Sequence, residues 1–245
     1  MADVKDQYFN HCRLDRMLPW QIRERMAASP TVFIPLGTIE WHSEHLPVGL
    51  DALTAEGLCL RVADRNGGLV YPALHYGTGG GHGHYPYTVM MESGAELEAL
   101  LRRTLTRLND FGVKKVLLFS GHFPDEQLAM IDRLAAEWNL AGTPMHALAS
   151  AVNRIPGLSL GSDHAGMFET ALLYAMHPEL VDISRLPKRR AGESEADPFG
   201  EQRHDPHHPL WGIFGPDPRD FKPEQARPLL DASVDWIAGL VSADR

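Results

Sequence analysis

The stretch TIEWHSEHLPVGLD (38–51) sets three carboxylates, Glu40, Glu44 and Asp51, and two imidazoles, His42 and His45, directly behind the apolar run TVFIPLG (31–37). Carboxylate oxygens and imidazole nitrogens are ligands for divalent zinc, manganese and iron. Glu40 and His42 are two residues apart, so on an extended path both side chains point the same way and can enter one site. Glu44 shares that direction only if the extended path continues. Asp51 stands ahead of an apolar-periodic segment and also reads as an N-cap, a structural role that leaves Glu40, His42 and His45 unexplained.

Two later junctions repeat the pattern. LLFSGHFPDE (117–126) puts His122 directly after an apolar run, with Gly121 to allow an awkward turn. SDHAGMFET (162–170) puts His164 at a helix entrance and Glu169 inside the helix. At a spacing of five these two do not share a helical face, so His164 belongs ahead of the helix if both serve one site. The candidate ligands are therefore Glu40, His42, Asp51, His122 and Glu169, drawn from three junctions. The absence of cysteine from this set argues against a closed structural zinc site. A carboxylate such as Asp51 can bridge two ions about 3.5–4 Å apart, a pair that generates hydroxide near neutral pH and polarises a carbonyl.

Other chemistries fit less well. No HExxH occurs, Ser43 and Ser120 lack a Gly-x-Ser-x-Gly elbow, and neither Cys12 nor Cys59 has a histidine nearby in sequence. The glycine-rich YGTGGGHGHYPYT (76–88) has neither the Gly-Lys-Ser/Thr of a phosphate loop nor dinucleotide spacing. Its glycines read as letting backbone approach a substrate near His82, His84 or Tyr87, or else as a surface loop. The thirteen histidines bunch along the chain; those at 204, 207 and 208 read as loop residues with no role.

Positioning these groups requires a scaffold. Apolar runs at 31–37, 68–74, 113–120 and 145–152 read as strands, the second ending or bending at Pro72. Between them the helical period appears at 53–64, at 96–112 behind a Ser93/Glu96 capping box, at 125–142 behind Pro124, at 166–177, and at 223–243 around Pro228. Strand and helix in alternation predict a mostly parallel sheet covered on both faces, with ligands at the carboxyl ends of its strands. A chain of 245 residues suits one such domain, spanning 1–245. Between 186 and 223 the periodicity fails, which predicts a long excursion serving as a lid or an oligomer contact. Its basic trio Lys188, Arg189 and Arg190 reads as a solvated loop or subunit contact in preference to an anion grip.

A net charge of −9 excludes the electrostatic footprint of a nucleic-acid or anionic-membrane binder, leaving small molecules or proteins. No run approaches eighteen apolar residues, and the first residues carry acidic groups in place of a signal peptide's apolar core. The expectation is a cytoplasmic protein with two reduced cysteines.

With these residues in view, the chain resembles the creatininase family of metal-dependent amidohydrolases. EWHSEHLPVGLD is similar to the family's opening signature, SGHFPDE stands in place of its glycine-histidine motif, DHAGMFET matches its His-Ala-Gly segment followed by Glu-Thr, and GIFGPDP (212–218) matches a late element. The resemblance implies a three-layer α/β fold, often assembled as a hexamer, and two metal ions, zinc or manganese with iron as a third option. It implies hydrolysis of a C–N bond in a small cyclic amide or formamide by a metal-bridging hydroxide, with His164 and Glu169 catalytic. By position, Glu40, His42, Asp51 and His122 become ligands, with Asp51 bridging. Creatininase supplies a carboxylate two residues after this histidine, where this chain has Pro124; Glu169 then completes the set, with Asp125 as a weaker substitute. Trp41, Ser43, Glu44 and Tyr87 depart from the family's usual residues and, with His82, are expected at the substrate pocket. Two alternatives stand beside this one: a hydrolase of C–C or lactone bonds in a polyhydroxylated ring, and a metal-holding scaffold without catalysis.

Overall fold

The computed structural model describes residues 8–189 and 197–243. Strands β1 (Thr31–Leu36), β2 (Leu69–Val70), β3 (Lys115–Ser120) and β4 (His146–Ala151) form a wholly parallel sheet in the order β2-β1-β3-β4. Helices α1 (Pro19–Ala28), α2 (Leu50–Asn66), α3 (Ala95–Asp110), α4 (Asp125–Leu140), α5 (Met167–Met176) and α6 (Ala226–Ser242) surround it. Strands buried on both faces are apolar at most positions, which is why β1 and β3 contain the apolar runs VFIPL and VLLF. Val32, Ile34, Leu36, Val116 and Leu118 enter a core completed by α3 and α4. Phe33, Leu117 and Phe119 enter a second core completed by α2, α5 and α6. The result is the expected three-layer sandwich.

Where structure and expectation differ, the causes are local. β2 is only two residues long because Pro72 has no N–H to donate. The backbone rejoins at Leu74, which donates to Pro35 O (3.0 Å) and accepts from Gly37 N (2.9 Å). α2 begins earlier than its apolar period suggests, with Gly49 at the N-cap; Asp51 therefore lies in the first helical turn and is not an N-cap. The periodicity does not announce α1, which buries no residue fully. The excursion beyond Leu186 is less a solvated loop than a wall: Leu186, Leu210 and Ile213 pack with Leu46, Leu50 and Leu173 in a third, smaller core. Arg189 of the basic trio pairs with Asp217 and Asp220, Lys188 is exposed, and Arg190 lies outside the described residues. Cys12 and Cys59 are buried and free, and no described helix is long and apolar enough to cross a membrane.

Asp217 anchors that wall. It accepts from Arg189 Nη2 (2.7 Å), from Arg219 Nη2 (2.7 Å) and from the Arg219 backbone N–H (2.9 Å). Burial pushes its carboxyl up, but these bonds outweigh burial and hold it at about 2, below the usual 3.8. A folded-state pKa below the unfolded one contributes stability above about pH 4 that is lost as pH falls towards 2. Asp217→Asn is expected to cost roughly 1–2 kcal/mol at pH 7, after discounting for solvent, and urea titrations should show the gap narrowing between pH 4 and 3. A gap independent of pH would refute the ionic origin.

Candidate metal centre

The sheet order places a switch point beside β1: the chain runs from β1 to β2 on one side, then crosses to β3 on the other. Such crevices are where parallel sheets bind ligands. Leu36 of β1 pairs with Ser120 of β3, so the segments that follow leave the sheet side by side. Two glycines let the start of α2 press against both strand ends. A Cβ at Gly37 would lie 2.2 Å from Ala52 N, and one at Gly121 would lie 2.0 Å from Asp51 O. Asp51 is thereby seated between the residues that follow β1 and the one that follows β3.

The five candidate ligands meet there, all buried. Glu40 Oε2 lies 3.0 Å and Asp51 Oδ2 3.2 Å from His122 Nδ1. Asp51 Oδ1 lies 3.2 Å and Glu169 Oε2 3.4 Å from His42 Nε2. Glu40, Asp51 and His122 thus converge as one set, and His42, Asp51 and Glu169 as a second, in each case with one atom per residue within 4.8 Å of the others. Asp51 is the member they share. Asp125, the alternative to Glu169, is exposed on the first turn of α4 and joins neither set.

The donor atoms fit divalent ions. Glu40 Oε2, Asp51 Oδ2 and His42 Nε2 are buried and face oppositely charged groups at 3.0–3.2 Å, but none of these contacts has hydrogen-bond geometry, a costly state for polar atoms unless something coordinates them. The second nitrogen of each histidine is already engaged: His42 Nδ1 donates to Glu40 O (2.9 Å) and His122 Nε2 to Thr78 O (3.2 Å). Outer hydrogen bonds of this kind fix the tautomer and aim the other nitrogen inward. Burial pulls both imidazoles down, yet the facing carboxylates outweigh it and raise each to about 10. Burial likewise opposes ionisation of Asp51, but His42 and His122 hold it at about 2. For Glu169 burial prevails over His42 and raises the carboxyl. Three buried carboxylates drawing positive charge onto their neighbours is the electrostatic demand that a cation satisfies.

His164 sits ahead of α5, as the spacing of five requires. Its Nε2 donates to Trp41 O (3.0 Å) and its Nδ1 lies 3.9 Å from Glu40 Oε1. Burial holds it neutral, near a pKa of 3. His82 Nδ1 bonds Glu40 Oε1 at 2.6 Å. Both histidines line a cavity of about 150 Å³ together with Glu40, Asp51, His122 and Glu169, walled by Phe123 and Pro124.

Of the other expected pocket residues, none lines this cavity. Trp41 lies between Glu40 and His42, so alternation turns its indole the opposite way, onto Gly212 and Trp211. Ser43 takes a left-handed backbone (φ 59), which ends the extended path and leaves Glu44 exposed in solvent. Tyr87, also left-handed (φ 58), is 77% exposed. The glycine loop serves both the cavity and the histidine: Gly80 and His82 line the cavity, a Cβ at Gly77 would lie 2.8 Å from His122 Cδ2, and Thr78 O receives the His122 N–H.

Several contributors are not evident in the sequence. Gln127 on α4 accepts from Thr78 N (3.2 Å) and donates to Ser120 Oγ (3.4 Å), tying together the two segments that hold His122. Gln127→Leu is expected to weaken binding at the His122 set by about 10- to 100-fold in a zinc titration, with unchanged affinity counting against the tie. His204, expected to have no role, shares a 2.8 Å hydrogen bond with the Tyr85 hydroxyl and packs 4.5 Å from Phe214, whose ring stacks on His82. Asp163 is buried beneath the start of α5. A helix-start aspartate ahead of His-Ala-Gly was the one signal available for it.

A parallel three-layer sandwich with two adjoining carboxylate–imidazole sets at its switch point defines a protein built for divalent metal. The chain belongs to the creatininase family, whose model, described as creatinine amidohydrolase, matches residues 16–241. It is 31% identical over 192 residues to creatinine amidohydrolase of Pseudomonas putida, covering 69% of this chain and 74% of that protein. It is 28% identical over 195 residues to the mycofactocin precursor peptide peptidase of Mycobacterium ulcerans, covering 70% and 73%. Solved structures of creatininase, a glutamate-to-glutamine mutant described as Zn-Zn type and a form described as Mn, each match with a TM-score of 0.73 and 25% identity, over 95% of this chain and 98% of theirs.

Proposed function

We propose that this protein is a two-metal hydrolase that cleaves a C–N bond in a small amide, cyclic amide or formamide. The observation that carries the proposal is Asp51, whose Oδ1 faces His42 and whose Oδ2 faces His122, each at 3.2 Å. Glu40, Asp51 and His122 would hold one ion, and His42, Asp51 and Glu169 the other, zinc or manganese by the ions of the related structures. When bound, such a pair lowers the pKa of a water towards neutrality and polarises a carbonyl oxygen.

The chain's own groups manage the protons. With Nε2–H committed to Trp41 O, His164 presents an unprotonated Nδ1 on the Glu40 side of the cavity. Because burial keeps His164 neutral at rest, its Nδ1 would carry a proton only in passage from the attacking water to the leaving nitrogen. His82 secures the same oxygen, Glu40 Oε1, beside the His164 ring. Each ion would take only three side chains, leaving positions open for water and substrate, which favours catalysis over a pure scaffold. A cavity of about 150 Å³ suits a small reacting group.

A second form of the proposal takes the amide to be a peptide bond, favoured by the 28% identity to a peptide peptidase. Stripping metal with a chelator should reduce activity at least about 100-fold, and Zn²⁺ or Mn²⁺ should restore it with two ions bound. A panel of cyclic amides, formamides, short peptides, lactones and cyclic ketones identifies the bond. Undiminished turnover by the metal-stripped protein would refute the mechanism, and turnover of lactones or ketones alone would refute the C–N assignment.

A further inference from the structure

We infer that Asp163 is a positioning residue: its buried carboxylate holds the turn that aims Glu169 and His164 into the site, and so governs the strength of the His42–Asp51–Glu169 set without touching metal or substrate. The inference rests on the two-ion proposal above.

The turn between Asp163 and α5 is not one the chain favours unaided. Ala165 has φ 56, a left-handed conformation that costs a non-glycine residue on the order of 1 kcal/mol. Asp163 supplies what holds it. Oδ1 accepts from Gly166 N (3.1 Å) and Glu169 N (3.3 Å), and Oδ2 accepts from Phe168 N (2.8 Å). One carboxylate therefore engages three N–H groups at the helix start, including that of Glu169 itself. The carboxylate is packed as closely as it is bonded. A Cβ at Gly166 would lie 2.4 Å from Asp163 Oδ2, and one at Gly215 would lie 2.3 Å from Asp163 Cβ.

The held turn does two things for the site. The Ala165 N–H donates to Glu169 Oε2 at 2.6 Å, fixing the carboxylate that faces His42. His164, the next residue after Asp163, is clamped to Phe214 by N–H to O contacts in both directions, of 2.9 and 2.8 Å. Among the described residues, His122 and its supports Thr78 and Gln127 make no bond to this turn, and Glu40 meets it only through His164 Nδ1, 3.9 Å from its Oε1. An effect of Asp163 should therefore be uneven between the two ligand sets.

The test titrates metal-stripped protein with Zn²⁺ alone, by calorimetry, for the wild type, Asp163→Asn and Gly166→Ala. Asn offers one acceptor oxygen where Asp offers two. Gly166 has a negative φ of −90, and the three atoms nearest its new methyl all belong to the Asp163 carboxylate. Both variants should bind the first ion within about threefold of wild type and the second about 10- to 100-fold more weakly, the usual effect of losing an outer-layer contact. Added to Glu169→Gln, Asp163→Asn should have little further effect; added to Glu40→Gln it should act in full. A general loss of structure would not produce that pattern of coupling. If the wild type binds two ions and the variants weaken neither or both alike, the inference fails alone. If the wild type never binds a second ion, the two-ion proposal fails and takes this inference with it.

Discussion

Asp51→Ala is expected to reduce bound metal from two ions to one or none and to lower kcat/KM by about a thousandfold or more. Asp51 is the only candidate ligand common to both sets, so its loss takes one of three side chains from each. It also removes the charge that holds the sets together, because His42 and His122 each face one of its oxygens at 3.2 Å. A thousandfold is about 4 kcal/mol, within what two ions contribute to stabilising charge in a transition state. Asp51→Asn preserves shape and one acceptor oxygen but not the charge, and should fall between wild type and Asp51→Ala. Metal analysis after gel filtration, paired with kinetics on the substrate found by the panel, provides the measurement. Activity within tenfold of wild type, with two ions still bound, would remove Asp51 from the centre of the mechanism.

Gly121→Ala should unfold the protein more readily by about 3 kcal/mol, the upper part of the range for overpacking a filled space. Its new Cβ would lie 2.0 Å from the Asp51 carbonyl oxygen and 2.7 Å from the Asp51 carbonyl carbon. Both are backbone atoms, and neither side yields easily: Gly121 directly follows the central strand β3 and donates to Leu36 O of β1, and Asp51 lies in the first turn of α2. Whatever moves carries a candidate ligand with it, Asp51 on one side or His122 on the other. Misplacing a reacting group by about 1 Å can cost a hundredfold in rate, so the folded fraction should also lose activity and metal affinity. Gly161→Ala is the control. Nothing lies within 4 Å of the Cβ it would gain, and surface changes of that kind stay within about 0.5 kcal/mol. Urea unfolding of both variants decides the matter, and equal stabilities would mean that the close approach at Gly121 is not what seats Asp51.

Much of the site was legible because short-range geometry dictates it. Glu40 and His42 share a direction because strand residues two apart do. His164 precedes α5 because a spacing of five cannot lie on one helical face. The strands announced themselves through mainly apolar runs, clearest in β1 and β3, which follow from burial on both faces. What failed did so where one dihedral angle redirects the chain: Ser43 at φ 59 sends Glu44 outward, and the residue-by-residue alternation that aims Glu40 and His42 inward aims Trp41 away.

The sequence alone determined which atoms were available, three carboxylates and two imidazoles at three strand–helix junctions, together with the layered fold that gathers such junctions at one edge of a sheet. Only the tertiary structure decided how they divide into two sets. That division depends on the register pairing Leu36 with Ser120, on two glycines that admit α2 between the strand ends, and on distant supports such as Gln127 and Asp163. Most of those contacts set a side chain or a glycine against a main-chain group of another element. Residue type and spacing do not show which main-chain group it meets, because a backbone N–H or carbonyl is the same in every residue that has one.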